Sequence, residues 1–257
     1  MIRYGVSKER GLRKSYRKLT EEIKTDGERL KLIAALGSSD DLAYHYTLIS
    51  EDWAAGGKLL LENSFDRHGE AGIVFLLERL RALGTASKTD ESAAAGTATD
   101  TAYLAAKILS QLRHRDFYAA RAKELAALLT ARWEISNIAL RRKQIIALGW
   151  IGSGSEINLL IDSMQGDTDA LCRAWAAAAL MQLSFHAVDA AFLREKTKTA
   201  FAAAIQKEGD LNAAGIMIEA AQTLFGKKWI SAAAAEAAEP ESIEKAKKSA
   251  LRFLGKV

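Results

Sequence analysis

Residues 140–183 read LRRKQIIALGWIGSGSEINLLIDSMQGDTDALCRAWAAAALMQL. An apolar-periodic run ends at Ile151, and a glycine- and serine-rich turn follows. A second run covers 155–165, a short acidic turn comes next, and a third run covers 169–183. In the second run Ile157, Leu160, Ile161 and Met164 share one helical stripe, and Asn158, Asp162 and Gln165 fall outside it. The stretch has the form of a helical hairpin followed by the first helix of the next one.

The pattern recurs. Ala147-Leu148-Gly149 reappears as Ala35-Leu36-Gly37, 112 positions earlier, where Arg29 matches Arg141 and Ile33 matches Ile145. Ala82-Leu83-Gly84 is a third copy. Ala179-Leu180-Met181 is a degenerate one, shifted by 32, with Arg173 matching Arg141. Thr223-Leu224-Phe225-Gly226 and Phe253-Leu254-Gly255 are weaker endings of the same kind. The glycines are expected to take the left-handed cap that stops a helix. Irregular copies a few tens of residues apart are the mark of a solenoid.

Arg141 to Gly152, Ile157 to Met164, Asp167 and Arg173-Ala174-Trp175-Ala176-Ala177 together resemble HEAT repeats, in the variant named for phycobilisome lyases. The resemblance implies that first helices lie on the convex side and second helices line the concave side. It also implies an interaction between Asp167, in the inter-repeat turn, and Arg173, early in the next helix. Ala170 stands where that family often has proline. The resemblance implies a fold and brings no catalytic residue.

Composition fits an all-α chain. Alanine dominates many runs, the 257 residues contain one proline, and β-branched runs bounded by turns are lacking. A single cysteine, Cys172, excludes an intramolecular disulfide and a multi-cysteine metal site. No long uncharged apolar run is present, and the basic N-terminus lacks a hydrophobic leader core, so a cytoplasmic location is expected. The net charge is +4; the first 18 residues contribute +6 of it, leaving −2 for the remainder. Those 18 residues hold Arg10, Arg13, Lys14, Arg17 and Lys18, an electrostatic patch on a leading helix whose apolar face is Leu12, Tyr16, Leu19 and Ile23.

Further helices are expected over 28–36, 40–62 with a break near Gly56-Gly57, 70–83, 100–113, 118–131, 138–151, 190–207, 211–225, 229–238 and 242–254. Residues 85–99, TASKTDESAAAGTAT, lack large apolar groups and are expected to form a flexible loop within one domain spanning 1–257.

Catalytic candidates are thin. The four histidines show no i, i+4 pair; Asp66, His68 and Glu70 alternate in a turn, a pattern more often solvated than metal-binding. Cys172 is expected to be a packed thiol rather than a nucleophile. Gly149, Gly152 and Gly154 follow a helix and lack the Lys-Ser/Thr ending of a phosphate loop. Five tryptophans, at 53, 133, 150, 175 and 229, invite comparison with helical-repeat alkylpurine DNA glycosylases, but no Trp is followed four residues later by Asp.

The sequence therefore points to a right-handed α-solenoid of about six hairpins. Its expected role is protein–protein binding, as an adaptor, inhibitor or immunity-type protein, with no cofactor, metal or catalytic group. The expected partner-binding residues are Asn158, Asp162 and Gln165 on one second helix and Arg194 and Lys198 on the next. Nucleic-acid binding or base repair, and a chaperone for chromophore or cofactor attachment, are the rival readings.

Overall fold

The computed structural model describes residues 12–85, 104–105, 108–109, 111, 116–131 and 138–255. Among them there are helices and no strands. The expected loop at 85–99 lies, apart from Thr85, outside the described residues, as does most of the expected helix 100–113. Two compact units form, Met1–Ala120 and Arg121–Val257.

The first unit holds α1 (Tyr16–Glu22), α2 (Asp26–Gly37), α3 (Leu42–Ala54), a 3-10 helix (Leu61–His68) and α4 (Gly69–Thr85). Thr25 and Glu28 close a capping box at the start of α2, and Asp41 caps α3 through the Tyr44 amide. Past Ala54 the chain turns on Gly56 and Gly57, both at positive φ. The turn is then fastened by Asp52, a buried carboxylate that accepts from the Leu59 and Leu60 amides and from the Tyr16 hydroxyl. The 3-10 helix is the hub: it packs on α2, α3 and α4, and Leu61 and Phe65 are fully buried there.

The second unit holds the part of α5 (Asp116–Thr130) from Arg121 on, then α6 (Ile138–Ile151), a 3-10 turn (Gly154–Glu156), α7 (Ile157–Gly166), α8 (Ala170–Leu183), α9 (Ala190–Lys207), α10 (Leu211–Leu224), α11 (Ala232–Glu236) and α12 (Pro240–Leu254). Helix starts are written into the sequence. Asp169, Asp189, Asp210 and Ser231 each accept from an amide three residues on, and Pro240 opens α12. Helix α8 packs against both α6 and α10. Helix α7 lies on α8, α9 lies on α10 and beside α7, and α12 closes against α9 and α10. The alanines of α8 allow the close approach: Ala174, Ala176, Ala177 and Ala179 are all buried.

One device recurs across the matched copies. Arg29, Arg141 and Arg173 each stand fourth in their helix, and each reaches the turn after the following helix. Arg141 grips Asp167 with two hydrogen bonds of 2.8 Å. Arg173 grips Glu208 at 2.7 and 2.8 Å. Arg29 donates to the Leu59 carbonyl at 3.5 Å. The expected Asp167–Arg173 contact therefore takes another form. The Asp167 carboxylate belongs to Arg141, and Arg173 meets only the Asp167 carbonyl, at 2.8 Å.

The repeated glycines also differ from expectation. Gly37 and Gly149 lie within helices and off the positive-φ region. They are places of contact: a Cβ on Gly149 would sit 2.8 Å from Ala179 Cα, and one on Gly37 2.8 Å from Ser64 Cβ. Gly226 is the copy that takes the left-handed conformation, at φ 62.

Candidate functional site

Helices α7 and α9 carry the residues singled out in the sequence. Of the expected stripe, Ile157, Leu160 and Met164 are buried and Ile161 is half-buried, while Asn158 and Asp162 are exposed. Gln165 is half-buried, its amide donating to the Ala200 carbonyl at 3.5 Å, so it marks the seam between α7 and α9. Lys198 turns the other way. Its ammonium lies 6.0 Å from the Phe253 ring of α12, and Arg194, one turn earlier, is exposed. Helical spacing puts Lys196 and Ala200 on the α7 side of α9, with Arg194 and Lys198 on the α12 side. The exposed cation of α9 on the α7 side is Lys196, which the sequence reading passed over.

At the ends of α7 and α9 a cleft of about 170 Å³ is lined by Gln165, Asp167, Arg173, Lys207 and Glu208. It is below the roughly 300 Å³ of an ordinary small-molecule site. Its strongest groups already serve the fold. Burial works against the Glu208 charge, but the Arg173 hydrogen bonds and the Asp210 and Gly209 amides outweigh it and hold its carboxyl below the usual range. Nearby, Arg142 grips Asp169 at 2.7 and 2.8 Å and holds that carboxyl well below its usual range.

The expected leading helix starts only at Tyr16, because Ser15 is extended, so Arg13 and Lys14 precede it; the basic residues are largely paired where they are described. Arg13 pairs with Asp41, Lys14 with Glu22 and Arg17 with Glu21. Lys18 is exposed, and Arg10 lies outside the described residues.

The first unit holds a pair that the sequence did not suggest. His45 Nδ1 and His68 Nε2 are 2.8 Å apart, and His45 Nε2 is 3.0 Å from the Leu61 carbonyl oxygen. A carbonyl can only accept, so His45 carries its proton on Nε2. Its Nδ1 is then a lone pair, and His68 must donate from Nε2. Burial pushes His45 down to about 4 and also lowers His68, against which Asp40 and Asp66 act. The rings stand against Phe65 at 5.2 and 5.0 Å. Twenty-three residues separate the two histidines, and no local spacing announces them. His68 Nε2 thus faces His45, with Asp66 acting on the ring through its charge. Among the described residues no group of three His, Cys, Asp or Glu side chains is placed to hold a metal.

Cys172 is fully buried, and burial and the neighbouring Asp169 push its thiol up to about 12, so it is not a thiolate near neutral pH. Trp53, Trp150, Trp175 and Trp229 are each half-buried, and Trp133 lies outside the described residues. No described helix is long and apolar enough to cross a membrane. No protein-family model matches the chain, and no curated protein or solved structure does.

Proposed function

We propose that the chain is a right-handed α-solenoid of about six HEAT-like hairpins that binds another protein along its layer of second helices. The arginine clamp supports the architecture. A residue in the fourth helical position that grips the turn after the next helix, three times over, is what a stacked hairpin repeat requires. The observation that carries the binding role is the outward side of α7 and α9. Most of their apolar residues are consumed against α8 and α10, and Asn158, Asp162, Lys196 and Thr199 remain exposed beside Phe192. In a HEAT-like solenoid this is the concave side. A polar face of this kind suits a polar partner surface, where charge sets specificity and association rate.

A photo-crosslinking side chain placed at Asn158, at Lys196 and at Thr223 on α10 tests this in cells. The expected result is one common polypeptide trapped from Asn158 and Lys196 and not from Thr223. Equal trapping from Thr223, or none from either second helix, overturns the proposal.

A further inference from the structure

We infer that the corner where α9, α12 and the turn 225–230 meet docks an acidic segment of a partner protein. This rests on the protein-binding reading and adds the partner's chemistry. Phe253, in the last turn of α12, is propped by Phe225 at 6.1 Å and by Trp229 at 5.8 Å. The Lys227 ammonium sits over its ring at 4.8 Å, and the Lys198 ammonium is at 6.0 Å. Contact with a ring steadies an ammonium without cancelling its charge.

The neighbouring cations add to this charge. Lys228 adjoins Lys227, Arg252 adjoins Phe253, and Arg194 lies one turn before Lys198; all three are exposed. Among the described residues Lys227, Lys228, Arg194 and Arg252 make no ion pair with a carboxylate. Several cations elsewhere are answered: Arg13, Lys14 and Arg17 by acids of the first unit, and Arg141, Arg142 and Arg173 by Asp167, Asp169 and Glu208. Positive charge gathered around one ring, four of its cations without a carboxylate, attracts an anion from outside.

The occupant follows from what the corner withholds. A single-stranded nucleic acid binds aromatic faces by stacking its bases. Here Lys227 lies over the Phe253 ring, and Phe225 and Trp229 pack against it, so the corner presents fixed charges rather than an open face. Separate carboxylates on flexible side chains match such points. An acidic protein segment supplies such carboxylates.

Fluorescence anisotropy of a fluorescein-labelled oligoglutamate peptide with the full chain tests the assignment, beside oligothymidylate of equal charge. Saturable oligoglutamate binding that weakens with added salt is expected. Lys227→Glu with Arg252→Glu should reduce affinity about tenfold or more, and Arg13→Glu with Arg17→Glu should leave it unchanged. Phe253→Leu keeps an apolar side chain but removes the ring, and a severalfold loss is expected. The circular dichroism of each variant should match the parent. Absence of binding, indifference to the Lys227/Arg252 reversal, an unchanged Phe253→Leu variant, or tighter oligothymidylate binding overturns the inference. If oligoglutamate fails while Asn158 and Lys196 still trap a common polypeptide, only the corner assignment falls. If those crosslinks fail too, the binding reading falls with it.

Discussion

Acid should loosen the first unit before the second, and the histidine pair sets the window. Folded His45 is neutral and accepts a proton only near pH 4, whereas an unfolded histidine accepts one near 6.5. Above 6.5 both states are neutral and the stability is fully present. As pH falls from 6.5 toward about 4, the unfolded chain gains a proton that the folded chain refuses, so stability is lost. The gap of about 2.5 units, at about 1.4 kcal/mol per unit, amounts to roughly 3 kcal/mol. His68, also lowered, acts in the same direction. A proton on His45 Nδ1 would also abolish the acceptor that His68 uses. Glu208 and Asp169 behave differently. Their carboxyls are lowered in the folded state, so the stability they give is present above their ordinary values and lost only as pH falls through the folded ones. Native-state hydrogen exchange, corrected for intrinsic rates, separates the two units. Amides of α3 and the Leu61–His68 segment should lose protection between pH 6.5 and about 4 while those of α8 and α10 hold. His45→Gln should flatten that slope, and nitrogen-15 spectra should place the His45 proton on Nε2. Protection in the first unit that is constant across the window, or a His45 Nδ1–H tautomer, refutes the reasoning.

Gly149→Ala should cost roughly 1–3 kcal/mol by forcing α6 off Ala179, while Gly166→Ala, where a Cβ meets nothing within 4 Å, should be near neutral; paired denaturant melts of the second unit check this. Asp167→Asn should destabilise the second unit by about 3 kcal/mol, because it leaves the mostly buried Arg141 guanidinium without its charge partner. Arg141→Lys should recover only part of the parent stability in the same melts, since an ammonium cannot make the two-pronged contact.

The helices were legible because their signals are local. Apolar periodicity placed Ala190–Lys207 and Ile138–Ile151 to the residue, and placed Leu160 inside and Asp162 outside. What failed was the assignment of partners. The copies of Ala-Leu-Gly were recognised, yet their glycines were read as helix stops. The same residue serves a stop or a close contact, and only the helix lying opposite decides which. Arg141 and Arg173 were aligned correctly by sequence, but Asp167 lies nearer Arg173 in the chain and belongs to Arg141 in space. Arg194 and Lys198 were grouped with Asp162 as neighbours on adjacent helices. The angular difference between Lys196 and Lys198 on α9 decides that grouping, and it becomes visible only once Gln165 and Phe253 show which side each neighbour occupies. His45 and His68 are joined by the fold alone.

The two kinds of cation are divided by what their chemistry permits. At the turns of the second unit the guanidiniums of Arg141, Arg142 and Arg173 each meet a carboxylate with two nitrogens at 2.7–2.8 Å, a planar match that an ammonium cannot reproduce. These pairs tie helices α6 and α8 to the turns at 167–169 and 208, and their charge is spent within the fold. Lysines are placed where geometry is slack: Lys196 outward on α9, Lys227 and Lys198 against Phe253, Lys228 exposed beside Trp229. A hydrated point charge on a long stem costs little to leave in water and can be drawn to an anion of loose geometry. The turn arginines thus serve the fold, and under the proposed function the outward lysines are the ones that meet a partner. Reversing a lysine of the second group should alter association without altering the fold, whereas removing an arginine of the first group should do the opposite.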